Sequence, residues 1–466
     1  PFVSAPATNP QLLGSSALGR IDTGRFPSGN VVLAPRLGLS YDLRGSRPTQ
    51  LRAGIGAFTG RPPVVWMGQA FLNTGRDQAT LVCSPADGVP APTTDVAALP
   101  QQCLTGTLGI SPASVVYFDP GFRVPEALKA LIGVDHDFGR GIRGSLDLLH
   151  TRTRNAIYLA DVNLVPAGRN AERRMMYGTI DPIGNPVPAR VDSAFSQVFR
   201  NSNRSGARST ALTLSLGKQW KNGGYLQLGY QWSRAEDYYS VEAPAADRSF
   251  ANAPIDGTIA DRRLTRSGFD VPHILTLAGV LPLPLGITVS GIFRLESGRP
   301  YAYVVRGDAN ADGAERGTGN AAPNDLIYVP RNPGDISLTV PADYSALDRF
   351  IAATPCLRAQ RGRIMARNSC RNPRVTSLDV RFSKAVGIAG TQRLELGVDV
   401  FNLLNLIDQD WGLVREISDR ETAPLLRVAG WDAAANRPVY AVPAAFPTAT
   451  VTSLPWRMQL SARYRF

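Results

Sequence analysis

The chain has 466 residues, of which 44% are hydrophobic and 19% charged, enough to build a large core, and its 44 Gly and 36 Pro point to many turns rather than long helices. No run of ~20 consecutive apolar residues occurs, which excludes a membrane-spanning helix. The net charge of +12 rests almost wholly on Arg, because Lys occurs only at Lys129, Lys218, Lys221 and Lys384; the arginines are scattered, with no basic stripe, recognition helix or RNA-binding motif, which argues against nucleic acid as a partner.

Read for period two, the chain repeats one unit: two alternating segments of about 10 residues around a tight turn, then a much longer polar stretch. The first pair is Pro35 to Leu43 and Gln50 to Gly60; in it Leu37, Leu39 and Tyr41 share one face while Arg36, Gly38, Ser40 and Asp42 share the other. The second is Leu128 to Asp137 and Ile142 to Arg154, turning at Phe138-Gly139-Arg140-Gly141. The third is Ser209 to Trp220 and Tyr225 to Arg234, around Lys221-Asn222-Gly223-Gly224, whose Asn-Gly step is a strong hairpin signal. Val271 to Leu283 with Ile287 to Gly298, then Val375 to Val386 with Arg393 to Leu403, complete five pairs. One unpaired strand, Trp456 to Phe466, follows them.

That last segment carries the clearest pattern. Trp456, Met458, Leu460, Ala462, Tyr464 and Phe466 fall on one face, and Arg457, Gln459, Ser461, Arg463 and Arg465 on the other. An Arg turned to lipid would cost about 2–4 kcal/mol near the bilayer midplane, so these three are tolerable only if all point into a polar lumen. The aromatic end, with Trp456, Leu460, Tyr464 and Phe466, looks like the C-terminal signal read by the outer-membrane barrel assembly machinery. The expected fold is all-β: an antiparallel transmembrane β-barrel of about 11 strands in this chain. Its short turns are expected in the periplasm and its long loops, roughly 61–126, 155–208, 235–270, 299–374 and 404–455, outside a Gram-negative cell, against outer-membrane lipid and lipopolysaccharide. An odd number of strands leaves one without a partner in a closed barrel. With no initiator Met and no signal peptide before Pro1, the expectation is that residues 1–466 are the C-terminal part of one larger barrel domain.

Several segments resemble the Oar-like branch, containing carboxypeptidase-regulatory-like domains, of the TonB-dependent receptor family: Pro35-Arg36-Leu37-Gly38 with Leu51 to Phe58, Glu296-Ser297-Gly298-Arg299-Pro300-Tyr301, Asn324-Asp325-Leu326-Ile327-Tyr328-Val329-Pro330, and Phe401-Asn402-Leu403-Leu404-Asn405. The resemblance implies a barrel of about 22 strands, closed by an N-terminal plug and coupled to the inner-membrane TonB complex by an N-terminal box, neither of which is present in this sequence. It implies a receptor or transporter moving an unidentified ligand across the outer membrane. The alternative in the same branch is an outer-membrane adhesion or protein-export component without nutrient uptake.

Candidate chemistry is sparse. Asp308, Asn310 and Asp312, followed by Gly313, have the alternation that opens a calcium loop, but an EF-hand counted from Asp308 needs a Glu where Gly319 stands. A Ca²⁺ ion completed by Asp325 or another loop competes with a plain Asx-rich turn; no other cofactor is suggested. His136, His150 and His273 lie in expected strands with no nucleophile or acid at a telling spacing, so no enzyme activity is expected. Asp135 with Asp137, and Arg294 with Glu296, read as lumen ion pairs. Cys83 with Cys103, and Cys356 with Cys370, fall as local pairs suited to disulfides in an oxidising compartment. The stretch 155–208 carries Arg169, Arg173, Arg174, Arg190, Arg200, Arg204 and Arg208; Arg173, Arg174 and Arg204 are candidates for contact with an anionic ligand or lipopolysaccharide phosphate. Trp411, Trp431 and Tyr440 are either ligand-stacking aromatics or, more simply, packing between loops.

Overall fold

The computed structural model describes residues 18, 21–24, 31–72, 80–81, 83, 86–106, 110–240, 245–314, 324–388, 390, 392–418 and 421–466. Its frame is a 12-stranded antiparallel sheet in which eleven strands follow one another in chain order. They are β1 (Arg36–Leu43), β2 (Thr49–Thr59), β3 (Glu126–Gly139), β4 (Ile142–Arg154), β5 (Arg208–Gln219), β6 (Tyr225–Asp237), β7 (His273–Pro282), β8 (Ile287–Glu296), β9 (Val375–Gly387), β10 (Arg393–Phe401) and β11 (Arg457–Arg465). The twelfth, Thr265–Arg266, pairs only with the end of β6. The sheet is open, with β1 and β11 at its edges.

The eleven expected strands are all present, and local chemistry explains where their ends differ from the reading. β7 starts at His273 rather than Val271, directly after Pro272, which has no N–H to donate. β10 stops at Phe401 because Asn402 adopts a left-handed backbone (φ 54°) and opens the short helix Leu403–Ile407. Five short turns join strands at one end of the sheet. At the β3–β4 turn Gly141 is required twice over: its φ is +74°, and a Cβ there would lie 2.3 Å from the Gln219 carbonyl oxygen.

Register keeps the two faces distinct across the whole sheet. Leu39 pairs with Ala53, Ala53 with Ile132, Ile132 with Leu148 and Leu148 with Leu212. At the far edge Phe382 pairs with Val398, and Val398 with Leu460. This apolar face is bare: Leu37 is 73% exposed, Ile132 61% and Leu460 73%. A sheet that leaves such a continuous face uncovered calls for an apolar surrounding.

The buried cores lie elsewhere, in a layer built by the five long connections at the other end. Loops read as polar contain strands that pair across connections. Phe195–Arg204 runs parallel to Ala113–Phe118 and antiparallel to Ala156–Asp161. Pro300–Arg306 runs parallel to Thr422–Asp432, which pairs with Arg437–Ala441. Helix Val64–Leu72 follows Pro62-Pro63 and buries Trp66 and Ala70, four residues apart, against Val116, Tyr158 and Phe199. Helix Tyr344–Ala353 likewise buries Leu347 and Ile351 against Tyr303, Val305 and Leu426. Each large apolar side chain so enclosed contributes roughly 1.5–3 kcal/mol. Disulfides Cys83–Cys103 and Cys356–Cys370 both lie in this layer.

Candidate functional site

Two polar assemblies stand out, one along the inner face of the sheet and one inside the loop layer. On the inner face, Arg52 of β2 reaches across β3 to two carboxylates: its Nε lies 2.5 Å from Asp135 Oδ2, and one terminal nitrogen lies 3.0 Å from Asp147 Oδ1 on β4. Gly133 makes that reach possible, since a Cβ there would sit 2.1 Å from Asp147 Oδ1. The same device recurs near the other edge. Arg381 of β9 pairs with Asp399 of β10 at 2.8 Å, beside Gly397, where a Cβ would meet an Arg381 nitrogen at 2.7 Å and Ser461 Oγ at 2.5 Å. Arg294 pairs with Glu296 along β8, and Arg143 with Asp137 at 3.3 Å. The concave face near the short turns encloses about 990 Å³, with Gln50, Asp135, Asp137, Arg143 and Gln227 among its polar walls. The three histidines are held by hydroxyls: His136 Nδ1 is 2.7 Å from Thr49 Oγ1, His150 Nδ1 2.9 Å from Thr210 Oγ1 and His273 Nδ1 2.9 Å from Tyr230 Oη.

In the loop layer the centre is Arg174. A tight turn presents it: Asn170 Oδ1 accepts the N–H groups of Glu172 and Arg174, both at 3.0 Å. Its guanidinium contacts Asp325 Oδ1 at 3.1 Å and Glu172 Oε2 at 3.4 Å, and donates to the Leu326 carbonyl at 2.7 Å. Tyr440 Oη donates to Glu172 Oε2 at 2.9 Å. Residues from three separate connections therefore meet on one guanidinium and its partners. Burial raises the Glu172 and Asp325 carboxyls above their ordinary range, opposed by Arg174, and burial with the Glu172 charge pushes the Tyr440 phenol well up.

Beside it, residues 308–313 form a closed turn. Asp308 Oδ1 accepts N–H bonds from Asn310 and Asp312 at 3.2 and 3.1 Å, and its Oδ2 accepts from Gly313 at 2.6 Å. Asp312 accepts from Ala314 N at 2.7 Å and from the side-chain amides of Asn310 and Asn324, both at 3.2 Å. Burial and the neighbouring Asp325 push the Asp312 carboxyl up to about 7, and burial with the Asp312 and Asp325 charges holds Asp308 well above the usual carboxylate range. The oxygens are thus occupied by donors, and among the described residues no three acidic, His or Cys side chains converge as a cation cage would. Gly319 lies outside the described residues.

The sequence model for the outer membrane beta barrel domain matches residues 4–408. The chain belongs to this family of outer-membrane barrel domains. No curated protein matches it. Among solved structures, it is similar to the outer-membrane transporter YddB from Escherichia coli, at 8% identity and a TM-score of 0.43, over 90% of this chain and 38% of that one. It is also similar to the ferric enterobactin receptor PfeA from Pseudomonas aeruginosa, at 11% identity and TM-score 0.41, over 92% and 39% of the two chains. The ferric citrate transporter FecA is 12% identical with TM-score 0.36, over 93% and 38%. The chain thus spans well under half the length of each.

For an outer-membrane barrel domain the bare apolar face is the lipid face, and strands of 8 to 14 residues suit a crossing that needs about 9–11 residues at a tilt. The expected lumen pairs fall on the opposite face. The arginines of the stretch 155–208 separate into distinct surroundings. Arg174 is not available to an outside anion, because its side chain is 6% exposed and neutralised within the loop layer. Arg204 lies over the rings of Tyr158 and Tyr238, at 5.0 and 4.6 Å, and pairs with Asp261. Arg173, next to Arg174 in the chain, is exposed and adopts a positive φ of 63°. Tyr440 is fully buried and Trp431 packs against the same core, while Trp411 is 54% exposed. Sequence reading missed the interior guanidinia Arg262 and Arg367. Arg262 is stacked near Tyr239 and Phe250, and Arg367 is bonded to Asp237 and Glu421. For Arg174 the sequence did carry a signal of burial, the apolar run Met175-Met176-Tyr177 that follows it.

Proposed function

We propose that the chain supplies strands and the outer loop cap of a TonB-dependent, Oar-like receptor that moves a ligand across the outer membrane through a plugged barrel. The observation that carries this reading is the division of the sheet into an apolar face and a charged inner face, with a layer of packed long connections at one end of the strands. An open sheet cannot stay with bare edges in a bilayer, where unpaired backbone groups have no water; further strands, to about 22 in all, would complete it, with the cap facing outside and the short turns in the periplasm. Charged lumen walls and an ordered cap suit a gated passage for a polar ligand rather than a free pore. On the final strand, Trp456, Leu460, Tyr464 and Phe466 are exposed along the apolar face, available to the barrel assembly machinery.

The test is binding of the periplasmic domain of the host's own TonB to the complete gene product in detergent. Saturable binding that a competing TonB-box peptide abolishes is expected. No binding, with the barrel folded, would move the protein to the adhesion or export class.

A further inference from the structure

The lipid face changes chemistry where β4, β5 and β6 rise towards the loop layer. In register across these strands lie Leu148, Leu212 and Trp232; two residues higher come His150, Thr210 and Arg234; two higher again come Arg152, Arg208 and Glu236. Arg266 then pairs with Glu236 on the short twelfth strand. Side-chain alternation puts all of these on the outward face, above the apolar band rather than in the lumen. Trp232, with Tyr230 below it, marks the level where interfacial aromatics sit.

The charges on this patch do not cancel. Glu236 is shared by Arg208, at 2.6 Å, and Arg234; Asp270 is shared by Arg371, at 2.7 Å, and Arg266, at 3.4 Å. Arg152 makes no ion pair among the described residues. The guanidinia stay accessible: the side chains of Arg208, Arg234 and Arg266 are 56%, 69% and 43% exposed. A cavity of about 500 Å³ opens beside them, with Trp232, Arg234, Arg266 and Arg371 in its wall.

We propose that this outward patch, through Arg152, Arg208, Arg234 and Arg266, binds the phosphorylated headgroup of lipopolysaccharide. From β4 to the twelfth strand the patch spans roughly 14 Å, at ~4.8 Å per strand, room for a disaccharide bearing a phosphate at each end. Guanidinia take phosphate oxygens two at a time, while the acyl chains continue down over Leu148, Leu212 and Trp232. That continuity of charge onto an apolar band selects an anionic lipid over a free anion. The site is separate from Arg174 and Arg204, which the fold engages in buried pairs and in ring stacking with a local pair. The inference rests on the loop layer facing outside.

The test uses the full chain expressed in an outer membrane and purified in detergent. Retained lipopolysaccharide is measured by its 3-hydroxy fatty acids for wild type, for Arg208→Gln with Arg234→Gln, and for Arg143→Gln near the opposite end. In parallel, wild type is exposed to lipid A, dephosphorylated lipid A and inorganic phosphate. The double variant should retain at least about tenfold less lipid, since two charge-assisted contacts are lost, with Arg143→Gln unchanged. Dephosphorylated lipid A should bind about tenfold more weakly, and inorganic phosphate should not displace lipid A. Equal retention by the double variant, equal binding of dephosphorylated lipid A, or displacement by inorganic phosphate would overturn the proposal. If the double variant does not fold, the wild-type lipid arms decide. Labelling of Ser345→Cys, exposed in the loop layer, on intact cells with an impermeant maleimide separates the two failures: label without lipid selectivity refutes the lipid site, and no label refutes the orientation.

Discussion

Replacing Arg174 by Met keeps most of the side-chain volume and removes the charge at the centre of the loop layer. The change leaves Glu172 and Asp325, with side chains 1% and 2% exposed, without their cation, and it deprives the Leu326 carbonyl of a donor. Breaking a buried pair in this way costs about 3–5 kcal/mol. At ~1.4 kcal/mol per factor of ten, local opening becomes roughly 100- to 4000-fold more frequent. Amide hydrogen exchange across Pro300–Arg306 and Thr422–Asp432 should accelerate accordingly, because those strands share the core that Arg174 braces. The membrane strands should stay protected, since their stability comes from lipid and from the ladder. The effect should shrink at acidic pH, where the two carboxyls can take up protons. Arg204→Met is the matched control: its partner Asp261 is 78% exposed, and such surface pairs contribute about 0–1 kcal/mol. Unchanged exchange in Arg174→Met, or equal acceleration in both variants, would refute the reasoning.

Leu460→Arg should lower the yield of barrel folded into lipid bilayers by a cost of about 2–4 kcal/mol, whereas Gln459→Arg, one residue before and facing the lumen opposite Asp399, should fold nearly as wild type; urea titration of folding into vesicles checks both, and equal costs would contradict the face assignment. Asp312 gives a pH prediction. Its folded carboxyl binds a proton more tightly than the ordinary value of 3.8 allows, up to about 7, so the stability it contributes is complete below the unfolded value and is lost as pH rises through the folded one. The melting temperature of the loop layer, followed by near-ultraviolet circular dichroism, should therefore fall as pH rises across that window, and a flat or rising trend would count against the buried, unneutralised carboxyl.

The membrane strands were legible because each has one face in lipid and one towards polar groups, so Leu37-Gly38-Leu39-Ser40-Tyr41 or Met458-Gln459-Leu460-Ser461-Ala462 writes its environment in period two. The loop layer was not, for the same physical reason reversed. Pro300 to Val305 is buried on both faces and shows no alternation, and its partner Thr422–Asp432 lies more than a hundred residues away and parallel to it. No local signal pairs such segments. Of the motifs behind the family resemblance, Asn324 to Val329 is wholly buried in that layer, with Asp325 on Arg174, whereas Arg36 to Gly38 and Leu51 to Phe58 lie on β1 and β2. Residues read as surface chemistry, Arg174, Asp308 and Asp312, proved to be interior polar groups whose partners come from distant connections. Charge alone does not announce burial.

Spin-label scanning along β11 in outer-membrane vesicles tests the central claim most directly. A nitroxide at each position from Arg457 to Arg465 reports access to oxygen, which concentrates in lipid, and to a water-soluble nickel complex. Positions 458, 460, 462 and 464 should favour oxygen, and 459, 461 and 463 the nickel complex. Uniform access, or the opposite alternation, would contradict a strand that separates lipid from lumen.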